Sequence, residues 1–569
     1  MKAWRHVAAG DFPQKLLLLV VGICCLLFMS AGLARAQSAA SVDALQAQVK
    51  ALQEQIDALK AAISQPVATP GTTAAAVESI NSLQAQIKDL QQQVDALKGA
   101  AAKPVTAPSE AGAPSPGGKN ILTTTFVKVT LGGFIEAAGI YRNLNTGSDV
   151  NSKFNLGAGG FPLPNSPNYY MDEFRGTARQ SRLSLLAQGQ DDFAALATYF
   201  EMDFLGGGSG FSGNSQESNS YSLRIRQLYE TYDTPSGWHL LAGQAWSLIT
   251  MNKLGIVPRQ ENIPLTIDAQ YVPGFTWTRN PQVRLVKDFG SMVSAGVSVE
   301  APQAIITGGG LTAGSTAVSG HSSDYTYHLA NPADYAYIYN TTNNSNMPGS
   351  LSLDQYPDLV AKVAVDPGFG HYEVYGLGRF FTDRTLVGTT HDNNTTFGWG
   401  AGGGMLLPVV PKLLDFQGSI LAGQGIGRYG SCGFSDAVVN PITGKLDALT
   451  EVEAMVGLIA RPTDRLNIYG YAGMEQESRK DILGTTGGFG NPAYAPLALL
   501  TEGSTVSSSL VQAASVSQGT IGFWYSFYKG IYGEMRVGLS DSLTHLVIFG
   551  GLPNENMNIT MISLRYYPF

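Results

Sequence analysis

From about residue 125 onward, apolar and polar positions alternate along short runs. In residues 196–204, for example, Phe200 and Met202 fall on one face while Glu201 and Asp203 fall on the other. The same period of two recurs in residues 466–475, 521–527 and 531–539. Successive side chains of a β-strand point to opposite faces, so the pattern predicts an antiparallel sheet with one apolar and one polar face.

The predicted connections alternate between short turns and long polar loops. Seven turns are only a few residues long, as at Asp191-Asp192 and Tyr528–Gly530. Eight longer segments lie at residues 143–178, 206–219, 248–272, 301–354, 383–392, 426–447, 478–511 and 542–555. Fifteen connections join sixteen strands, and this alternation is typical of transmembrane β-barrels. The strand boundary near residues 248–274 is also compatible with a loop folded into the lumen.

The last fourteen residues, Asn556–Phe569, resemble the closing strand of such a barrel, with an aromatic residue at the chain end. The alternation does not hold over the whole segment. Met557 and Ser563 are an even number of residues apart and so fall on the same face, although one is apolar and the other is polar. A β-bulge near Ile562 is one explanation of this change. An ordinary edge strand is the alternative interpretation of the segment.

The N-terminal region has a different pattern. Residues 1–36 combine a basic start, an apolar run and the sequence Ala34-Arg35-Ala36, which predicts a signal peptide cleaved before Gln37. An uncleaved membrane anchor is the alternative. We expect the mature chain to consist of a helical segment over residues 37–98, a Pro/Ala/Gly linker over 99–120 and a barrel domain over 121–569.

The segment 37–98 contains two similar heptad stretches, residues 41–63 and 80–98. Each carries apolar residues spaced three and four apart, the seam of a coiled coil. Isolated helices of this length are marginal in water, so we expect self-association. Pro66 and Pro70 lie between the copies and leave a helical hairpin within one chain as the alternative.

Composition agrees with a membrane barrel. Charged residues make up only 14% of the 569 residues, aromatics make up 10%, and there are 66 glycines. The formal net charge of −8 gives no reason to expect nucleic-acid binding. Of the three cysteines, only Cys432 lies outside the predicted signal peptide, so no disulfide framework or cysteine-based metal site is expected.

The inward face of the predicted barrel carries the candidate chemistry. An arginine facing lipid near the midplane costs roughly 2–4 kcal/mol, so alternation assigns five arginines to the lumen. Guanidinium groups bind carboxylates through paired hydrogen bonds, which favours contact with anionic solutes. The alternative is that inward carboxylates neutralise them. The candidate pore-lining residues are Arg182, Arg224, Arg226, Arg284, Arg536, Glu201, Asp203 and Glu534.

Other classes of function have weaker support. No histidine lies in a recognisable catalytic motif and Gly-x-Ser-x-Gly is absent, so no catalytic residue, cofactor or metal is predicted. An adhesion or anchoring protein remains an alternative, because the predicted coiled coil can contact the cell wall.

Short motifs carry a resemblance to a known family. They are Leu131-Gly132-Gly133-Phe134-Ile135, Leu223-Arg224-Ile225-Arg226, Gly243-Gln244-Ala245-Trp246 and Asn280-Pro281-Gln282-Val283-Arg284. Together with the signal peptide, heptads, linker and terminal Phe569, they make the chain similar to the DcaP-like porins. The doubled heptad segment is a point of departure.

The resemblance implies a homotrimer of sixteen-stranded barrels in the outer membrane of a Gram-negative cell, with a trimeric coiled coil in the periplasm. Lipid and lipopolysaccharide are the expected surroundings. It also implies passage of small organic anions such as dicarboxylates past pore-lining arginines. Phosphate-selective, sugar-selective and general porins share this architecture and stay open as alternatives.

Overall fold

Sixteen antiparallel strands form a closed barrel in the described part of the chain. The computed structural model describes residues 119–124, 127–148, 150, 154, 160–162, 167–206, 222–307, 327–328, 352, 354–387, 390–440, 445–478, 480–481, 488–489, 513–549 and 554–568. The predicted signal peptide, the heptad segment, nearly all of the linker and Phe569 lie outside these residues.

The barrel strands follow one another in sequence order around the wall. They are β1 (Lys128–Arg142), β2 (Glu173–Thr177 and Arg182–Gln190), β3 (Ala195–Gly206), β4 (Ser222–Asp233), β5 (Trp238–Trp246), β6 (Arg279–Phe289), β7 (Val293–Glu300), β8 (Asp358–Val365), β9 (His371–Val387), β10 (Thr390–Val410), β11 (Leu414–Gln424), β12 (Thr450–Thr463), β13 (Leu466–Glu477), β14 (Ala513–Gly530), β15 (Gly533–Ile548) and β16 (Glu555–Tyr567).

The first and last strands close the barrel. Ile135–Arg142 of β1 pair with residues 559–566 of β16, and Lys128–Phe134 pair with β2 on the other side. A further strand, Lys119–Thr123, pairs with the beginning of β1. The prediction of a sixteen-stranded antiparallel barrel is therefore confirmed.

Smaller elements lie in the connections. Two 3-10 helices span Pro167–Tyr170 and Gly427–Tyr429, and a short strand Tyr327–His328 pairs with β9. Two small sheets are formed by Ile306–Thr307, Ala437–Val439 and Leu446–Ala448, and by Lys480–Asp481 and Gly488–Phe489. In the described ranges, no helix is long and apolar enough to cross a membrane.

The two faces of the wall differ as the alternation predicts. On β14, Ile521 is 64% exposed on the outside, whereas Thr520 is 6% exposed on the inside. Outward apolar side chains recur around the ring, among them Ile135, Ile225, Val283, Val297, Leu359, Val374, Ile420, Leu458 and Leu564. Such a continuous apolar outer face needs an apolar surrounding, because water would solvate it poorly.

The predicted bulge near Ile562 is absent, since β16 pairs with β15 and β1 without a register shift. Instead, the surroundings of the strand change along its length. Met557, Ile559 and Met561 are buried inside the barrel in a hydrophobic cluster with Phe154 and Ile267. Arg565 faces the same interior further along the strand, where the lining is polar.

Two predicted loops are mostly strand. Residues 383–392 are rich in polar residues and residues 542–555 contain several, but β9 extends to Val387, β10 begins at Thr390 and β15 extends to Ile548. The polar side chains of these strand ends do not exclude strand pairing, because a sheet that continues beyond a lipid layer faces water on its outer side.

Residues 247–278, here called the inserted loop, fold into the lumen between β5 and β6. Many of its side chains are buried, including Ile249, Ile263, Ile267, Val272 and Phe275. A second segment, made of residues 425–440 and 445–449, is called the covering loop and packs on the inserted loop. Trp277 N donates to Tyr429 O at 2.7 Å, and Ser431 Oγ donates to Phe275 O at 3.0 Å. The expectation that a loop near 248–274 enters the lumen agrees with this arrangement.

The inner face of β10 is lined by glycine at four alternate positions, 398, 400, 402 and 404. A Cβ on Gly402 would lie 2.6 Å from the Tyr375 ring, and one on Gly404 would lie 2.5 Å from Met251 Sδ. These glycines therefore make room for the rings of β9 and for the inserted loop.

Candidate functional site

All eight candidate residues lie on the inner face, but in separate groups. Five of them form one cluster on β2, β3 and β4: Arg182, Glu201, Asp203, Arg224 and Arg226. Arg536 pairs with Glu534 on β15, at 2.9 Å, and stacks on Tyr567. Arg284 donates to Gln282 Oε1 and to Trp246 O and so braces β5 against β6.

Ion pairs hold the main cluster together. Arg224 binds Asp203 through two hydrogen bonds, Nε to Oδ1 at 3.0 Å and Nη2 to Oδ2 at 2.8 Å. Arg226 bridges two carboxylates, Glu201 at 2.6 Å and Asp203 at 2.9 Å. Arg182 lies 3.8 Å from Glu201. The alternative of neutralisation by inward carboxylates therefore has a structural basis for these three arginines.

A register shift places Arg226 deep in this cluster. Glu201 is paired with Gln227, and the next residue, Met202, is paired with Ile225, so Arg226 is the extra residue of a β-bulge. Both Arg226 and Gln227 are buried as a result. Bulges re-aim side chains in this way.

The alternating pattern did not predict that Arg279 faces the lumen and belongs to this cluster. Arg279 is the first residue of β6. It lies four residues before the outward-facing Val283, so alternation assigns it to the outer face. In the structure its guanidinium carbon lies 5.0 Å from the Trp246 ring and 5.1 Å from the Trp277 ring. Its Nη1 atom is buried and has no hydrogen-bond partner in the part of the chain that the structure describes. We call Arg182, Arg224, Arg226 and Arg279 the arginine wall.

Arg565 of β16 is a further inward arginine outside the predicted set. It pairs with Glu136 at 3.0 Å and stacks between Phe134 and Trp524. Arg565 alternates with Leu564 and Tyr566 in the sequence, so the alternating pattern was sufficient to identify it as inward-facing.

The arginine wall carries more positive than negative charge. Its four guanidinium groups face the carboxylates of Glu201 and Asp203, and the carboxylate of Asp268 in the inserted loop borders the same cavity, which makes three among the described residues. The pKa of Tyr271 in the inserted loop reflects this excess of positive charge. Burial raises the pKa of its phenol, but Arg226, Arg279 and Arg182 outweigh that effect and hold the pKa below its ordinary value.

The inserted loop contacts the wall on opposite sides of the lumen. Gln180 donates to Ile267 O at 2.8 Å, and Trp524 of β14 donates to Leu265 O at 2.8 Å. Lys362 of β8 donates to Thr250 O at 2.8 Å. These bonds fix the loop across the barrel rather than along one wall.

A small cavity lies between the arginine wall and the inserted loop. This cavity of about 10 Å³ is bounded by Arg182, Asp203 and Arg226 on the wall and by Asp268 and Tyr271 on the loop. That volume holds about one water molecule. The inserted loop therefore forms the constriction at this level.

Comparison with known proteins identifies the fold. No family model and no curated protein sequence matches the chain. Among solved structures, the outer membrane channel DcaP of Acinetobacter baumannii matches with a TM-score of 0.52 at 19% sequence identity, covering 79% of this chain and 99% of that one. An anion-selective porin from Comamonas acidovorans aligns with a TM-score of 0.40 at 10% identity, covering 78% of this chain and 99% of that one. The likeness to the DcaP channel confirms the DcaP-like resemblance at the level of the fold.

Proposed function

We propose that the protein is an outer-membrane porin through which small hydrophilic solutes, organic anions such as dicarboxylates among them, diffuse passively. The observation that carries the proposal is the combination of a closed sixteen-stranded barrel, apolar outside, with an arginine wall beside the constriction. The excess of guanidinium groups over carboxylates there favours anions, because a narrow lumen with low-dielectric walls focuses such a field.

The assembly and its surroundings belong to the same proposal. We infer a homotrimer held in lipid and lipopolysaccharide, with the heptad segment forming a coiled coil in the periplasm, where it can contact the cell wall. The heptad spacing supports self-association. The apolar outer face supports residence in a membrane.

A general porin is the second candidate, and one observation favours it. Glu201 and Asp203 pair with three of the four arginines of the wall. Paired charges attract a passing anion less than free ones do.

A closed barrel is expected to show heat-modifiable migration in a denaturing gel. Every strand of the closed wall is paired on both edges, so detergent alone leaves the barrel folded while boiling unfolds it. We expect the unboiled purified protein to migrate differently from the boiled protein in a denaturing gel. Identical migration before and after boiling would count strongly against the barrel.

The excess charge of the arginine wall predicts the ion selectivity. Replacing Arg279 by Met removes a guanidinium that forms no ion pair with a carboxylate among the described residues, so the change leaves no carboxylate there without its partner. Two unit charges about 6 Å apart in water interact by roughly 0.7 kcal/mol; because the anion loses this attraction and the cation loses an equal repulsion, we expect the anion-to-cation permeability ratio to fall about tenfold. Reversal potentials across planar bilayers in a salt gradient measure this ratio.

A matched control is Arg536→Met, which removes an inward arginine that lies in a different group and pairs with Glu534. Its effect on selectivity should be smaller than that of Arg279→Met. A cation-selective wild-type channel, or equal effects of the two substitutions, would show that the arginine wall does not set selectivity and would favour the general porin.

A further inference from the structure

A carboxylate lies on the outer, apolar face of the barrel at Glu230 of β4. Its exposed side chain points in the same direction as the exposed side chains of Leu228 and Tyr232 in the same strand. In register it is opposite Thr198 of β3 and Ala242 of β5. Within the described residues its carboxylate forms no hydrogen bond and no ion pair. A charged group is unfavourable where lipid surrounds the wall, because lipid tails supply no partner.

The depth of Glu230 places it inside the lipid-facing band. It lies four residues before Thr234, where the turn to β5 begins. At ~3.3 Å per residue and a strand tilt of ~45°, its Cα atom lies roughly 9 Å from the turn along the membrane normal. The apolar band of such barrels is about 25 Å tall, so the carboxylate lies near its middle. Ionisable groups at this depth are paired with other protein groups.

An amine of opposite charge faces outward at nearly the same depth. Lys287 of β6 lines the outer wall beside Trp238 and Leu285, and it lies three residues before Gly290 in the turn to β7. Its Cα atom is therefore roughly 7 Å from that turn along the membrane normal. Its Nζ donates to Ser236 O and lies 5.4 Å from the Trp238 ring centroid, and it forms no ion pair with a described residue. An ammonium group has three donors, so Lys287 can also bind a carboxylate.

The two charges do not pair within one chain. Glu230 is opposite Ala242 on β5, whereas Lys287 is opposite Trp238, four residues nearer to the turn on the same strand. Two strand spacings of ~4.8 Å and four residues of ~3.3 Å separate the Cα atoms of Glu230 and Lys287 by roughly 16 Å. Both groups are therefore available to a second chain.

The surface between the two charges is apolar. Leu240 of β5 and Leu285 of β6 are opposite each other in register, and both are exposed on the outer face. Ala242 lies outward beside Glu230, where its small side chain leaves the carboxylate accessible from the side. An apolar centre with charged groups at its edges is the usual composition of a protein–protein interface.

We propose that β4–β6 form the interface between copies of this chain, with Glu230 of one copy paired with Lys287 of the next. The inference rests on the proposed homotrimer and assigns its interface to one part of the wall. Copies in a cyclic membrane assembly are related by rotation about the membrane normal, so groups that meet across the interface lie at equal depth. Glu230 and Lys287 meet this condition to within roughly 2 Å, and their charges are complementary. They also lie on different patches, as a head-to-tail interface requires.

Cysteine cross-linking of the full-length protein tests the interface. The double variant Glu230→Cys with Lys287→Cys is oxidised in isolated membranes, and boiled samples are separated without reductant. A disulfide requires Cα atoms within about 7 Å, so the separation within one chain excludes an intrachain bond. We expect covalent dimers and trimers from the double variant. Each single variant should remain monomeric, because a head-to-tail interface brings unlike positions together. Cys432 is buried and is common to all variants.

A matched control pair lies on the opposite side of the barrel. Leu458 of β12 and Tyr525 of β14 face outward and are opposite Gly470 and Leu466 of β13, again two strands and four residues apart. Leu458→Cys with Tyr525→Cys should remain monomeric under the same oxidation. Equal cross-linking by the two pairs would overturn the inference, as would oligomers that form without a link between positions 230 and 287.

Charge reversal gives a second readout that needs no cysteine. Glu230→Lys should lower by several degrees the temperature at which the unboiled oligomer dissociates in a gel. Adding Lys287→Glu should restore that temperature, because the pair forms again with exchanged signs. A double variant no more stable than Glu230→Lys alone would contradict the pairing. A monomeric wild-type barrel would show that lipid covers this surface and would overturn the inference. Cross-linked barrels that form no channel would instead refute the proposed porin function and leave the interface supported.

Discussion

Excision of the inserted loop should raise the single-channel conductance several-fold. Sixteen-stranded barrels enclose an aqueous channel, and here the loop occupies its cross-section. The excision is geometrically simple, because Ser247 N donates to Thr278 O at 2.9 Å and the two ends of the loop lie side by side. A short glycine-serine connection in place of residues 248–277 therefore closes the gap without moving β5 or β6. Single-channel recording at fixed salt gives the comparison.

The excised variant must first show the same heat-modifiable migration as the wild type, so that a change in conductance refers to a folded barrel. Tyr271→Ala provides a graded comparison, since it removes one side-chain contact between the loop and the arginine wall and leaves the other anchors intact. We expect its conductance to lie between those of the wild type and the excised variant. An unchanged conductance after complete excision would show that another segment forms the constriction.

Replacing Arg226 by Ala should destabilise the barrel strongly. Its side chain is 2% exposed and pairs with two carboxylates that are themselves buried, Glu201 and Asp203. Removing one partner of a buried ion pair costs roughly 3–5 kcal/mol, because the remaining charge stays buried without compensation. The temperature at which the folded gel band disappears should therefore fall clearly below that of the wild type.

Two companion variants separate this effect from a general loss of side-chain packing. Arg224→Ala should shift the band transition much less, because the Arg224 side chain is 33% exposed and Asp203 keeps Arg226 as a partner. The pair Arg226→Met and Glu201→Gln should recover part of the loss, since it removes the unpaired charge together with its partner. Equal destabilisation by Arg224→Ala and Arg226→Ala would contradict the explanation through buried charge.

Strand alternation in the sequence was enough to predict the barrel and the inward direction of Arg182, Arg224 and Arg284. A period of two is a local property, and it holds for Arg224 and Arg284 inside their strands and for Arg182 at the start of its strand segment. At the start of β6, where the chain leaves the inserted loop, the alternation fails. For this reason Arg279, the first residue of β6, was missed although it belongs to the arginine wall.

The sequence offered Glu201, Asp203 and Glu534 as neutralising carboxylates, but it did not show which of them each arginine meets. Which carboxylate meets Arg226 depends on the bulge between β3 and β4, and a bulge changes the register without leaving a clear local signal. Similarly, Met557 and Ile559 point inward because apolar side chains of loops that are distant in the chain occupy the lumen beside them. A strand facing such a filling has apolar residues inside, so polarity alone assigns its faces wrongly.

The glycine positions on the inner face of β10 determine how this strand tolerates substitution. At 402 and 404 even an alanine requires neighbouring atoms to shift, whereas the adjacent outward position, Ala401, is exposed and accepts other apolar side chains. Saturation mutagenesis of residues 398–404 should therefore show low tolerance at 398, 400, 402 and 404 and higher tolerance at 399 and 401, with 403 also resisting substitution because a Cβ there would lie 2.6 Å from Glu373 O. In this strand the forbidden positions would be those with the smallest side chains, the reverse of the usual map of a protein interior.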